Sequence, residues 1–285
     1  MKRPPALVRA ASLPVTLAVA ATATGCTPSG GPSPVGTLGY GLPAPPSAVY
    51  GIADTAQVTV TTPTGKLESA GGYALTLDLG FEMHPAGVRV RGIVDEIEGS
   101  MWNPGAPSRR PRPIGSPAET HDFVIDRQGV VVVRSFPTLS DEAALLFSFA
   151  GHAHDLFPRL PDSVVDPGAT WPDTVRWHVD LPQTEVTYRA ILTHTLVGDT
   201  ILDRRPLLQI AVAGTLDNVT VTGVAGAATY RVLKGPVTGL VLWDPERRLV
   251  VWAEYERSLT GMLQRPDRQV LEMSLEGRVS LRLEG

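Results

Sequence analysis

Leu271-Glu272-Met273-Ser274-Leu275-Glu276-Gly277-Arg278-Val279-Ser280-Leu281-Arg282-Leu283-Glu284 decides how this chain folds. Apart from Gly277, its odd positions are apolar and its even positions polar. A period of two puts successive side chains on opposite faces of a strand, so one face is apolar and the other wet. That is the pattern of an antiparallel sheet packed on one side only. Extended, the segment runs about 40 Å, well beyond an ordinary strand, so the sheet must twist and curve.

The same alternation recurs upstream. Tyr73, Leu75, Leu77, Leu79, Phe81 and Met83 alternate with Ala74, Thr76, Asp78, Gly80, Glu82 and His84. Val186, Tyr188, Ala190, Leu192 and Leu196 repeat it, as do Leu249, Val251, Ala253, Tyr255 and Leu259. The predicted fold is mainly β: a long, curved antiparallel sheet, a half-open barrel. Val88 and Val90 fall in one phase and Ile93 and Ile97 in the other, which predicts a bulge at Gly92.

One helix is predicted near 140–150. Ser140 is an N-cap, Asp141 and Glu142 suit the positive end of the dipole, and Ala143, Leu146, Phe147 and Ala150 form an apolar stripe that Gly151 ends. Two hairpins echo one another faintly, Asp126 ending one apolar strand and Asp244 another; two similar halves are one reading, and the echo that any run of hairpins gives is the other. The expected organisation is a signal peptide over 1–25, a modified cysteine and disordered tether over 26–46, and an N-terminal β half with the helix over 47–155. A linker over 156–170 and a C-terminal β half over 171–285 complete it.

The N-terminus says where the protein goes. Lys2, Arg3 and Arg9 precede a short apolar stretch over 13–23, the charge and length pattern of an export signal, too short for a spanning helix. Ala23-Thr24-Gly25-Cys26 follows, holding the chain's single cysteine. These residues resemble the lipobox of bacterial lipoproteins, although Ala23 stands where Leu or Val is more usual. The resemblance implies that Cys26 is acylated and becomes the mature N-terminus, with several acyl chains anchoring the protein to a membrane. Thr27 is not the aspartate that retains some lipoproteins at the inner membrane, so the periplasmic face of the outer membrane is the expected destination. A plain small-x-small cleavage at Ala21-Thr22-Ala23 is the alternative. The following residues, 27–46, are rich in Gly, Pro and Ser and uncharged, the composition of a flexible tether.

A net charge of −4 gives no basic field for nucleic acid, and only Lys2, Lys66 and Lys234 are lysines. Hydrolase nucleophile motifs and phosphate-cradling glycine loops are absent from the sequence. His152 and His154 with Asp155 are weak metal candidates, His121 a distant third ligand; the simpler reading places them just past a helix C-terminus. His194 lies in the apolar phase of its strand and reads as a core histidine. Asp95, Glu96 and Glu98 read as a solvated rim rather than an acid–base pair. Arg109, Arg110 and Arg112 sit in a proline-rich loop that reads as disordered and without a partner, contact with anionic headgroups being the alternative. Arg257 interrupts the apolar phase between Tyr255 and Leu259, either as a counter-ion for a ligand headgroup or as a snorkelling side chain.

A long one-sided sheet behind a lipobox and a tether resembles the half-open barrels of bacterial lipoprotein and lipid carriers. The run Val165-Asp166-Pro167-Gly168-Ala169-Thr170-Trp171 also resembles a Gly-x-x-Trp strand start of uncharacterised exported β-rich proteins. One helix covers only part of so apolar a sheet, and the surplus must meet a ligand, a partner or more of the chain. The expected function is therefore non-enzymatic, without a cofactor. The protein would be tethered to the membrane through Cys26 and bind an apolar small molecule or lipid between sheet and helix. Leu75, Leu77, Leu79, Phe81, Tyr255, Arg257, Leu271, Met273 and Leu275 are the candidate lining residues. An envelope interaction module with an envelope protein partner and no cavity is the alternative, and a hydrolytic or metal-dependent enzyme a third.

Overall fold

The computed structural model describes residues 38–102, 112–113, 121–135, 149–181, 184–223 and 227–284. The strands are β1 (Ser47–Thr62), β2 (Gly65–His84), β3 (Gly87–Trp102), β4 (Arg112–Pro113), β5 (His121–Ile125) and β6 (Val131–Ser135). After α1 (Phe149–Leu156) come β7 (Thr170–Leu181), β8 (Thr184–Leu202), β9 (Arg205–Thr222), β10 (Thr229–Asp244), β11 (Leu249–Gln264) and β12 (Val270–Glu284). They form one open antiparallel sheet in the order β6-β5-β3-β2-β1-β12-β11-β10-β9-β8-β7, with β4 a short addition to β3. The chain winds outward from β1 to one edge, crosses to the far edge at β7, and winds back until β12 pairs with β1.

The sheet curls without closing. Eleven strands laid flat at about 4.8 Å spacing would be far wider than the roughly 12 Å length of an eight-residue helix. Yet α1 touches β6 at one edge, β7 at the other, and β11 between them. Close backbone approach goes with this curl. A Cβ at Gly214, Gly235 or Gly261 would run into the carbonyl oxygen of Ile191, Ser258 or Val232 on the neighbouring strand.

The predicted alternation is the observed one along most of each long strand, and the inner face holds the core; on β11 an extra residue at Val251 turns Val250 inward in its place, and Met83 at the end of β2 is exposed. Across the centre, Tyr50 and Ile52 of β1 pair with Leu77 and Leu75 of β2 and with Leu283 and Leu281 of β12, bringing their side chains to one face. Tyr40, upstream of β1 and within the stretch read as a tether, belongs to this core. Its hydroxyl donates to the Pro158 carbonyl (2.8 Å) and its ring meets Trp243 and Phe157 edge-on, at 4.8 and 5.6 Å. Leu38 is buried too, so two apolar side chains anchor the end of a segment whose composition alone reads as unfolded. Both hairpin aspartates act as expected. Asp126 accepts from the Gln128 and Val130 amides, and Asp244 from those of Glu246 and Arg247.

Two local predictions are corrected. Gly92 stays in register opposite Leu79; the extra residue is Asp95, between Val94 paired with Leu77 and Glu96 paired with Thr76. Val94 therefore takes the inner position, Ile93 faces outward at 54% exposure, and the bulge returns Ile97 to the core. The helix does not stop at Gly151 but runs on to Leu156, so His152 and His154 lie within it. A mid-helix glycine costs only about 1 kcal/mol, whereas the further turn buries Ala153 and Leu156; Pro158 supplies the actual block. Ser140, Ala143, Leu146 and Phe147 lie outside the described residues.

Candidate functional site

The inner face carries two apolar clusters. The larger gathers Tyr50, Ile52, Leu75, Leu77, Leu79, Phe81, Val279 and Leu281 from the sheet beneath Leu38, Tyr40, Ala153, Leu156, Phe157 and Leu160. Sheet and helix meet closely there. The space among Ile52, Leu75, Leu77, His121, Phe123, Ala153 and Leu156 is about 10 Å³, no more than one water molecule needs. Leu75, Leu77, Leu79, Phe81 and Tyr255, expected to line a ligand space, are packed core instead. The covering is more extensive than the sequence suggested, because residues 38–40 and 156–160 help α1 fill the face.

The second cluster occupies the other end of the same face. Leu216, Leu233, Val237, Leu259 and Met273 form it, with Val58, Val60, Tyr188, Leu192, Leu263 and Leu275 packed against them. All of these residues belong to strands. Leu271 is buried beside this group, paired with Leu263. Of the expected lining residues, Leu271, Met273 and Leu275 thus share this end of the sheet, whereas the β2 residues are sealed under α1.

Arg257 stands between the two clusters. Its Nη2 donates to Asp54 Oδ1 at 2.5 Å, and Tyr73 Oη lies 3.4 Å from Asp54 Oδ2. Burial alone would pull the guanidinium down, but the charge of Asp54 and its hydrogen bond outweigh burial and hold Arg257 above the ordinary arginine value. Burial, then the charge of Asp54, pushes the Tyr73 phenol well above its usual range. Arg257 is thus held by an ion pair within the protein. Asp54 was legible as the one charged residue in the apolar phase of β1, after Tyr50 and Ile52.

A second cation on this face escaped the sequence reading. Arg231 on β10 pairs with Leu263 of β11 and Thr220 of β9, in the same phase as Leu233 and Val237. Its Nη2 donates to Thr220 Oγ1 at 2.9 Å, and Thr220 Oγ1 donates to Asn218 Oδ1 at 3.0 Å. Among the described residues its Nε is buried without a hydrogen-bond partner, and burial lowers its pKa with no opposing carboxylate. The available signal was an arginine in the same odd phase as Leu233, Val237, Val241 and Trp243.

The remaining candidates do not converge. His194 is a core histidine, as its phase implied: it is 1% exposed, stacked on Trp171 at 5.7 Å, with Nε2 3.5 Å from Asp173 Oδ2. His154 is half-buried on α1, and His121 is buried on β5. Among the described residues no group of three or more His, Cys, Asp or Glu side chains could hold a metal ion. Glu98 is exposed on β3, and β4 brings the backbone of Arg112 beside Gly99. The side chains of Asp95, Glu96, His152 and Arg112, and all of Cys26, Arg109 and Arg110, lie outside the described residues. An open depression of about 590 Å³ lies on the outer face, lined largely by polar residues including Thr55, Gln57, Thr238, Ser258, Glu276 and Arg278. Among the described residues no helix is long and apolar enough to cross a membrane.

No known protein family and no curated protein matches the sequence. Among solved structures, the chain aligns with DynF from the dynemicin biosynthesis pathway of Micromonospora chersina at 10% identity and a TM-score of 0.24, covering 92% of each chain. It also aligns with a DUF1329 family protein from Desulfovibrio piger, at 10% identity and a TM-score of 0.17, over 82% of this chain and 85% of that one. A domain named for outer membrane lipoprotein sorting, from Vibrio parahaemolyticus, aligns at 8% identity and a TM-score of 0.14, again over 82% and 85%. Scores this low lend no argument to fold or function.

Proposed function

We propose that this protein is a non-enzymatic lipoprotein of a bacterial envelope, tethered through acylated Cys26, that binds an apolar ligand of lipid type on the inner face of its sheet. The observation that carries the reading is the second cluster. Leu216, Leu233, Leu259 and Met273 are buried beneath the partly exposed Val58, Val60, Tyr188, Leu263 and Leu275, which leave an apolar surface built from strands alone, beyond the end that α1 and residues 38–40 fill. Burying such a surface contributes about 25 cal/mol per Å², the driving force an acyl chain would use. The contacting residues in this reading are Val60, Leu263 and Leu275, supported from beneath by Leu216, Leu233, Leu259, Leu271 and Met273.

The test is native mass spectrometry with organic extraction on the full chain, purified from membranes of a bacterial host and held in amphipol. A stoichiometric apolar mass in the wild type, absent from a folded Leu263→Gln/Leu275→Gln variant, is the expected result. A clean apo mass after incubation with mixed envelope lipids overturns the reading and turns attention to an envelope protein partner.

A further inference from the structure

Two arginines break the apolar inner face, and they are in opposite electrostatic states. Arg257 is neutralised by Asp54 at 2.5 Å. Arg231 has Thr220 as its only polar partner among the described residues, and a neutral hydroxyl leaves the guanidinium charge uncompensated. An arginine held against apolar side chains without a counter-ion is unfavourable, and an anion brought to it offsets that penalty. Arginine also offers several N–H donors in a planar fork suited to carboxylate and phosphate oxygens. Because the Thr220 hydroxyl donates to Asn218 Oδ1, the Asn218 amide NH2 is left as a further donor beside it.

The apolar ground starts at this cation. On β10 the inner-face positions run from Arg231 through Leu233 to Val237, which pairs with Arg257. Six residues of strand span about 20 Å, the reach of a long acyl chain. Leu216, Leu259, Leu263 and Met273 flank that path, and the Arg257–Asp54 pair closes its far end with a charge already satisfied. The positive site stands at the end of β10 next to the β9–β10 turn, where a headgroup can remain close to water.

We infer that the ligand is an anionic lipid whose carboxylate or phosphate headgroup is held by Arg231 with Thr220 and Asn218, and whose acyl chain runs over Leu263, Val60 and Leu275, the partly exposed side chains above Leu233, Leu216 and Leu259, toward Arg257. This rests on the lipid-binding reading above and adds the ligand's charge and direction. Arg231 serves as the headgroup anchor, while Arg257 marks where the chain ends.

The test compares two probes with the same chain, cis-parinaric acid and its methyl ester, by fluorescence titration of the delipidated full chain in amphipol. The acid binds about tenfold or more tightly than the ester, the worth of a charge-assisted hydrogen bond. In Arg231→Gln the acid falls to the affinity of the ester, while the ester is unchanged; Thr220→Val, which keeps the charge, gives a smaller loss. Sodium acetate at matched concentration does not displace the acid. Equal binding of acid and ester by the wild type overturns the headgroup assignment and leaves the apolar site standing. Displacement by acetate shows an anion site independent of a lipid chain and also overturns it. Binding of neither probe removes the lipid-binding reading itself.

Discussion

Arg257 of β11 reaches across β12 to Asp54 of β1 at 2.5 Å, and Gly277 is what lets it pass. Gly277 is the register partner of Arg257, and a Cβ there would lie 3.1 Å from Arg257 Nε. An ion pair so placed divides one apolar face into two, and it is stable only while both partners are present. Asp54→Ala leaves the guanidinium unpaired beside apolar neighbours and is expected to lower stability by about 2–3 kcal/mol, less than for a fully buried pair because Arg257 keeps some solvent contact. Asp54→Leu with Arg257→Met removes both charges and regains most of that loss. Urea unfolding midpoints of the single and double variants decide it; a double variant no better than Asp54→Ala would show that the charges are not the cause.

Tyr255 fastens α1 to the sheet. Its hydroxyl donates to the Asp155 carbonyl at 3.1 Å, and its ring lies over Gly239, where an added Cβ would be 2.5 Å from Cδ1. Gly239→Val displaces the ring and is expected to destabilise the fold by about 1–3 kcal/mol, as overpacking does. It should also speed amide exchange in α1. Tyr255→Phe keeps the packing and loses only the hydrogen bond, so it speeds exchange with a smaller loss of stability. Unchanged exchange in both variants would remove Tyr255 from this role.

Tyr50 is fully buried, and its hydroxyl donates to the Val250 carbonyl at 2.7 Å. Tyr50→Phe strands that carbonyl among apolar side chains and is expected to cost about 1–2 kcal/mol. Thermal melting against the wild type measures it, and an unchanged melting temperature would mean that the carbonyl is not left unpaired.

His154 couples α1 to pH. Burial lowers its pKa below the ordinary histidine value of 6.5, partly opposed by the charges of Asp155 and Asp173. Below 6.5 the unfolded chain takes up a proton that the folded chain resists, so stability falls with pH until the lowered folded value is passed, where the loss levels off. His154→Gln, which does not titrate, is expected to flatten the dependence of the melting temperature between pH 7 and pH 5. An identical slope in the variant would assign the effect elsewhere.

Most of the sheet was legible because strand alternation is local. The phase of Tyr73 through Phe81, or of Leu271 through Leu283, follows from neighbours two residues apart and survives any tertiary arrangement. The bulge was misplaced for a related reason. Gly92 looked like the break, but Val94 and Ile97 together fill the core better with the extra residue at Asp95. Helix length was decided by contacts beyond the helix, since burial of Ala153 and Leu156 carried α1 past Gly151. Of the expected lining residues, Leu271, Met273 and Leu275 lie at the second cluster, whereas Leu75 and Leu77 are sealed by chain far from them in sequence.

By itself, the sequence determined that this is a one-sided antiparallel β protein with two aspartate-capped hairpins, because strand period and turn chemistry act over a few residues. Only the tertiary structure decided which end of the inner face is filled and which arginine is neutralised. Asp54 and Arg257 are 203 residues apart, and their pairing exists only because β12 returns to lie between β1 and β11. Among the described residues Arg231 meets no carboxylate for the same reason: curling and register set its neighbours, and they bring it a threonine. A side chain's phase can be read from its neighbours in sequence, but the charge that faces it across the sheet is fixed by the fold.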